Sequence, residues 1–332
     1  MLPLSILDLS PVSEGIPAAQ SLRNTLDLAQ LADRLGYTRY WVAEHHNLPA
    51  IASSAPEIMI GQICAATHRI RVGSGGVMLP NHAPLMVAER FKVLEALYPG
   101  RIDLGLGRAP GTDPATSYML RRRQGISEED DFLQRFQELM LLETRGFPEG
   151  HPFHKVQAMP AEVPLPPIYL LGSSDYSAQL AGQIGAAFAF AHHFANFDAV
   201  EAMRLYRDSF RPSPAHAAPY AILATHVVCA DGDAEAERLA ATVDLNVVRR
   251  AKGEHLPLAS PEDAANYDYA PVDKARIAQS RARIAVGAPA TVRARLEPLM
   301  AATQAQELMV TTMIYDHAAR RRSYELLWQA FA

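Results

Sequence analysis

Two pairs of adjacent histidines, His45-His46 and His192-His193, each follow a β-prone stretch of the chain. Imidazole ordinarily titrates near neutrality, so a histidine at a strand end is a candidate acid, base or ligand. Neighbouring side chains on extended chain point in different directions, so at most one member of each pair faces a common site. The alternative for any one of them is a hydrogen bond to a neighbouring loop and nothing more. Glu44, His45 and His46 are contiguous and no H-x-H or H-E-x-x-H spacing occurs, so no metal site is expected. His151 and His154 flank Pro152 and read as loop residues. The run Gly172-Ser173-Ser174-Asp175-Tyr176-Ser177 stands between a predicted strand and a helix predicted from about Ala178. Hydroxyls and free backbone N–H groups at a helix N-terminus suit an anion, phosphate above all, although a plain N-cap has the same sequence. Gly73-Ser74-Gly75-Gly76 and Gly105-Leu-Gly107-Arg108-Ala-Pro-Gly111 also follow strands. Pro110 and the G-x-G-x-x-x-G spacing argue against a dinucleotide fingerprint and for glycines that let a flat ligand lie against backbone.

The elements that position these residues alternate. Strand patterns at Leu4 to Leu9, Tyr40 to Ala43, Ile70 to Gly73 and Ile102 to Leu106 recur at the length of a strand-plus-helix unit. Between them, Leu22 to Leu35 has helical spacing with Gly36 as C-cap, and Pro56 to Ala66 reads as a helix with Ile58, Ile60, Ile63 and Cys64 as its apolar members. Pro84 to Leu97 carries Met86, Val87, Phe91, Val93, Leu94 and Leu97 and stops before Pro99-Gly100. Later strands at Ile168 to Leu171, Ala186 to Ala191, Ile222 to Cys229 and Leu308 to Ile314 complete eight, which predicts a (β/α)8 TIM barrel in an α/β chain; an open doubly wound sheet is the competing architecture. The chain, 1–332, reads as a single domain with insertions at about 108–166, holding one helix at Glu128 to Thr144, and 231–288. Such insertions serve as active-site lids or as plain surface excursions.

Composition bounds the partners. The 332 residues are 49% hydrophobic and 20% charged, and 31 basic against 36 acidic side chains leave a net charge of −5. With a pI near 6.2, a small molecule is a better expected partner than nucleic acid or an anionic membrane. Cys64 and Cys229 are too few for a disulfide framework, and no basic leader or long apolar run occurs, so a cytoplasmic protein without a membrane span is expected.

Four segments together resemble the bacterial-luciferase-like, flavin-dependent monooxygenases: Trp41-Val-Ala-Glu-His-His46, Val72-Gly-Ser-Gly-Gly-Val-Met-Leu-Pro80, Arg101-Ile-Asp-Leu-Gly-Leu-Gly-Arg108 and Gly172-Ser-Ser174. The resemblance covers residues 4 to about 194 and resumes at Val286 to Pro289 and from Leu308 to Phe331; it is nearest to the single-chain oxidoreductases of unassigned substrate. It implies a TIM barrel that takes reduced FMN from a separate reductase and uses it with O2 on a small organic substrate. It further implies His45 as the catalytic histidine and a non-prolyl cis peptide at Gly75-Gly76 beneath the flavin ring. Gly107 and Arg108 then lie near the flavin edge and phosphate tail, with Gly172, Ser173, Ser174 and Ser177 at the phosphate.

Gly107 stands where luciferase subunits carry a reactive cysteine, which argues against light emission. Asp130 stands where they carry a phosphate-binding arginine, leaving Arg121, Arg122 and Arg123 as substitutes. The chemistry requires water to be kept from reduced flavin, for which Met78, Leu79 and Phe190 are expected walls and the insertions expected lids. Family members often pair, so a homodimer is implied. The alternatives are a deazaflavin-dependent hydride-transfer enzyme on the same fold, a non-catalytic flavin-binding protein, and a metal-dependent barrel hydrolase.

Overall fold

A computed structural model describes residues 2–109, 111–121 and 131–331. In chain order the elements are β1 (Leu4–Asp8), α1 (Ala18–Leu35), β2 (Arg39–Val42), α2 (Pro56–Ala66), β3 (Arg71–Ser74), β4 (Val77–Met78), α3 (Pro84–Leu97), β5 (Ile102–Gly107), α4 (Pro114–Arg121) and α5 (Phe132–Thr144). There follow β6 (Ile168–Gly172), α6 (Asp175–Gln183), β7 (Ala187–Ala191), α7 (Ala199–Ser209), β8 (Ala221–Cys229), α8 (Asp233–Ala251), α9 (Pro261–Ala265), α10 (Pro271–Arg281), β9 (Ile284–Gly287), α11 (Pro289–Thr303), β10 (Glu307–Thr311) and α12 (His317–Phe331). All strand pairings are parallel, and β10 pairs with both β1 and β8, so β1, β2, β3, β5, β6, β7, β8 and β10 close an eight-stranded barrel. These are the eight strands the sequence predicts, and the open-sheet alternative falls.

Three details differ. The 108–166 stretch holds two described helices, α4 and α5, and residues 122–130 lie outside the described residues, among them the start of the helix predicted from Glu128. The 231–288 stretch holds β9, a four-residue strand that joins the upper end of β8. Its sequence, Ile-Ala-Val-Gly, was too short to stand out. On α2 and α3, Ile58, Met86, Val93 and Leu97 point outward with 65%, 48%, 47% and 65% exposure, while Ile60, Ile63, Phe91 and Leu94 face the sheet.

Strand alternation divides the interior in two. Outward residues such as Ile6, Tyr40, Val72, Leu104, Phe188, Leu223 and Val310 pack with the helices in the main core. Inward residues Leu7, Trp41, Ala43, Tyr169, Ala187, Ala189, Ile222, Ala224 and Met309 fill the barrel itself. Leu79 and Phe190, expected as walls of the mouth, belong to the outer core: Phe190 has the outward phase of β7, and Leu79, in the turn just after β4, packs with it. At the barrel's lower end Arg39, Asp103 and Glu307 form a buried charge cluster. Arg39 binds Glu307 through two hydrogen bonds of 2.7 and 3.0 Å and Asp103 through one of 2.7 Å. Arg71 donates to the other Asp103 oxygen at 2.5 and 2.9 Å, and Tyr169, Tyr220 and Trp41 complete the shell at 2.8, 2.7 and 3.0 Å. Burial opposes the charge of Arg39, and the two carboxylates more than offset it, so its pKa is raised.

On the outer side of β1, Asp8 accepts from Arg320, Thr25, Tyr40 and its own turn at Ser10, which ties α1 and α12 to the barrel wall. Removing one member of a buried ion cluster leaves its partners uncompensated, so Asp103→Ala should lower unfolding stability by about 3–5 kcal/mol in urea titration. A loss below about 1 kcal/mol would mean that the cluster is not what seals the barrel floor.

Candidate active site at the barrel mouth

The C-terminal ends of the barrel strands bring the sequence candidates to one end of the molecule. After β2 the chain continues as Ala43-Glu44-His45-His46. Glu44, 1% exposed, accepts from His46 at 2.9 Å, from His82 at 2.9 and 3.0 Å, and from the Met78 backbone N–H at 2.8 Å. Burial alone would raise its pKa; the hydrogen bonds from His46 and His82, followed by that of Met78, hold it down at about 2. The pair therefore splits as alternation requires, with His46 turned to Glu44. His45 remains, its Nδ1 buried without a hydrogen-bond partner. Burial, and then the charge of Arg250 on α8, lower its pKa to about 4, so it is neutral near pH 7.

The second pair splits too. His193 Nδ1 lies 3.2 Å from the Ala224 carbonyl, so that nitrogen donates and Nε2 keeps its lone pair. Two residues along the same face of β8, His226 Nε2 accepts the Met313 N–H at 3.2 Å, which leaves its proton on Nδ1. Burial lowers both, His193 to about 4 and His226 to about 3. His192 faces the other side of β7's end. Sequence reasoning missed His226, although the phase Ile222, Ala224, His226 carried it; it also missed Trp41 as floor, Arg250, and the acceptor role of Glu44 toward His82.

Around this group the wall is made of small residues, Ala43, Ala189 and Ala224, over a floor of Leu7 and Trp41. The glycines let neighbouring strands approach closely. A Cβ on Gly105 would lie 2.0 Å from the Ser74 carbonyl, on Gly76 2.8 Å from the Gly105 carbonyl and on Gly75 2.5 Å from Leu7, so β3, β4 and β5 crowd together there. Gly107 is filled in the same way by Met78 Sδ at 2.8 Å. The Gly75–Gly76 peptide is cis. Thr311, one step beyond inward-facing Met309 in the same phase, has a buried hydroxyl without a partner. Small side chains line the mouth, and His45 Nδ1 and Thr311 Oγ1 lack hydrogen-bond partners among the described residues, which suits a ligand with polar edges.

At the end of β6 the helix begins at Asp175 rather than Ala178. Ser174 caps it, accepting from Ser177 N at 3.3 Å, and Ser177 Oγ donates to the Ser174 carbonyl at 2.8 Å. Gly172 is closed on its Cβ side by Ser177, and Ser173 is half-buried beside them. The Arg108 guanidinium lies 4.6 Å from the ring of Tyr176, in the first turn of α6. The structure thus joins Arg108 to the serine run, a hydroxyl-rich helix start with a cation beside it. Arg121 donates to Asn81 at 3.1 Å; Arg122, Arg123 and Asp130 lie outside the described residues. The loop after β5 is tied across to the β2 loop by Thr112 to the His46 carbonyl (2.7 Å) and Asn47 to Asp113 (3.0 Å).

The model of the luciferase-like monooxygenase family matches residues 2–306. The chain belongs to that family. It is an enzyme of the monooxygenase class and is 43% identical to a luciferase-like monooxygenase of Escherichia coli over 97% of this chain and 95% of the relative. It is 35% identical to an N-acetyl-S-alkylcysteine monooxygenase of Bacillus subtilis, over 99% and 98%. Among solved structures, apo-MsnO8 is 39% identical, with a TM-score of 0.89 over 100% of this chain and 98% of that one. The fold alone is shared with a Type II Baeyer-Villiger monooxygenase in complex with FMN (21%, TM-score 0.72, 99% and 97% of the two chains) and with an F420-dependent secondary alcohol dehydrogenase (14%, TM-score 0.70, 100% and 99%). No described helix is long and apolar enough to cross a membrane.

The histidines give the luciferase-like enzyme a pH signature. Each has a folded pKa below its ordinary 6.5, so below pH 6.5 the unfolded chain takes up protons that the fold refuses. Stability should therefore fall as pH drops from 6.5 toward 4, and Glu44 adds a further loss below its ordinary 4.5. Melting temperatures across this range check the sign, and His226→Gln should flatten the upper part of the decline.

Proposed function

We propose that the chain is an FMN-dependent monooxygenase that takes reduced FMN from a separate flavin reductase and, with O2, oxygenates a small organic substrate. The observation that carries this reading is His45: a neutral imidazole with a buried, unengaged Nδ1 at a small-walled mouth. Bound reduced FMN would supply the two electrons that allow one oxygen atom to enter substrate while the other leaves as water. His45 Nδ1 offers a place to accept or return a proton at the reacting oxygen, and neutrality makes it a base rather than a fixed cation. His193 and His226 present an acceptor and a donor of fixed tautomer to whatever polar group enters. Trp41, Leu7 and the charge cluster below close the lower end to water. Gly75, Gly76 and Gly107 bring the strand ends close enough to form one edge of the ring site. Arg108, Gly172, Ser173, Ser174 and Ser177 would hold the phosphate, where N–H groups at a helix start favour an anion.

The N-acetyl-S-alkylcysteine monooxygenase relative supports a small sulfur-bearing substrate as the first class to screen. Both thiols, Cys64 and Cys229, are free and buried, consistent with a reducing cytoplasm. A second copy of the chain is the proposed partner at α3, where Met86, Val93 and Leu97, seven and four residues apart, form one exposed apolar stripe beside Ile58 of α2.

Titration with oxidised and photoreduced FMN, followed by stopped-flow absorbance on mixing with oxygen, tests the reading. His45→Ala should still bind flavin and lose about 10²–10⁴ in turnover. Ser174→Ala should weaken FMN binding about tenfold while F420 affinity stays far below that of FMN. Failure to bind FMN in either redox state overturns the proposal, and full turnover in His45→Ala removes His45 from it. Sedimentation of the unaltered chain and of Leu97→Asp tests the dimer; equal monomeric behaviour in both rejects it.

A further inference from the structure

β8 carries three neighbours on two edges. One edge takes β10, from Ile222 to His226. The other takes β7 as far as the pair Ala191 and Ala224, and then β9 from the pair His226 and Ile284. Thr225 stands between the two ladders, so β7 and β9 part from a shared edge and leave a fork on the helix side of the barrel. A cleft of about 280 Å³ opens at this fork, lined by His192, Thr225, Arg283, Arg295, Leu296 and Leu299 among others.

No carboxylate lines the cleft. Arg283 donates through Nη1 to the Ala195 carbonyl, while its Nε is buried without a partner. Arg295 donates at 2.9 Å to the carbonyls of both Arg281 and Ala282, which holds its guanidinium in place. Neither arginine belongs to an ion pair among the described residues. Burial and then the charge of Arg283 lower the pKa of His192, while Asp198 acts in the opposite sense. The opposite wall is apolar, with Leu296 on α11 2% exposed and Leu299 half-buried one turn on.

We propose that this fork binds a small organic anion, a carboxylate with a short aliphatic arm, at a site separate from the barrel mouth. Arg283 and Arg295 hold the carboxylate, whose flat geometry suits guanidinium donors, and the Leu296 and Leu299 wall receives the arm. The volume lies just below the range of about 300–1,000 Å³ for drug-sized ligands, which favours a ligand of a few carbons over a nucleotide. The crevice arises because β7 and β9 leave one edge of β8 in different directions. This inference does not depend on the proposed flavin chemistry.

The test is calorimetric titration of the full chain with hexanoate and with hexan-1-ol, which shares the arm and lacks the charge. Hexanoate should bind in the millimolar range or tighter and hexan-1-ol at least about tenfold more weakly, the loss expected for a charge-assisted contact. Arg295→Gln should weaken hexanoate to a similar degree, and His45→Ala, at the mouth, should leave it unchanged. Absence of hexanoate binding, equal binding of the alcohol, or weakening by His45→Ala but not by Arg295→Gln would overturn the proposal. Should Arg295→Gln fail to fold, Leu299→Trp, which fills the apolar wall, takes its place: retained affinity overturns the site and lost affinity supports it.

Discussion

Everything above the barrel floor depends on the Arg39, Asp103 and Glu307 cluster. A barrel whose mouth is walled by Ala43, Ala189 and Ala224 has little side-chain volume with which to fill its own axis. The lower end therefore closes with long polar side chains, and those side chains are charged. Two arginines face two carboxylates, and Tyr169, Tyr220 and the Trp41 indole take up the remaining hydrogen-bonding capacity. Satisfied in this way, a buried charged layer is rigid; short of one partner it is costly. Trp41 couples the two ends. Its Nε1 is held by Asp103 below, while its ring packs against Tyr169 and forms the floor of the mouth.

The mouth inverts that logic. Below, charges are matched; above, histidines are kept neutral by burial and by neighbouring positive charge. Glu44, the one carboxylate beside His45, is fully engaged by His46, His82 and Met78, and so does less to raise the pKa of His45 than its position suggests. The arrangement leaves a half-buried, neutral imidazole whose Nδ1 has no hydrogen-bond partner among the described residues. That condition suits chemistry in which a proton must be accepted or returned at one atom.

The alternation of elements made the fold legible: eight apolar, β-prone stretches, the first four at unit spacing and the later ones separated by insertions, are the eight barrel strands, and Pro-led helix starts and Gly36 set helix bounds closely. Interior phase can be read where a strand alternates: Ala187 and Ala189 face inward and Phe188 and Phe190 outward. It was misread where residues were judged by type alone. Phe190 and Leu79 are apolar and near the mouth in sequence, yet they face the helices. For the glycines, sequence cannot say which neighbour fills the space of an absent Cβ; at Gly76 and Gly105 it is another strand. The His45 and His46 split followed from backbone geometry, whereas Met78 and His82, the distant partners of Glu44, lie 34 and 38 residues away and no local pattern announces them.

β9 was invisible for a reason that also shapes the molecule. Its four residues pair only with the upper end of β8, where β7 has already left. An eight-stranded barrel has no place for a ninth full strand, so an extra one attaches only where a wall strand outlasts its neighbour. β8, at nine residues, outlasts the five of β7. The same mismatch in length sets His226 into the mouth on the inner face and opens the fork at Thr225 on the outer one. One long strand thus presents a polar group to each side of the wall, and the two sides share no side chain. A ligand at the fork could act on the mouth by shifting β8, through the bond from His193 to the Ala224 carbonyl and that from Met313 to His226, and by offsetting the charge of Arg283 that lowers the pKa of His193.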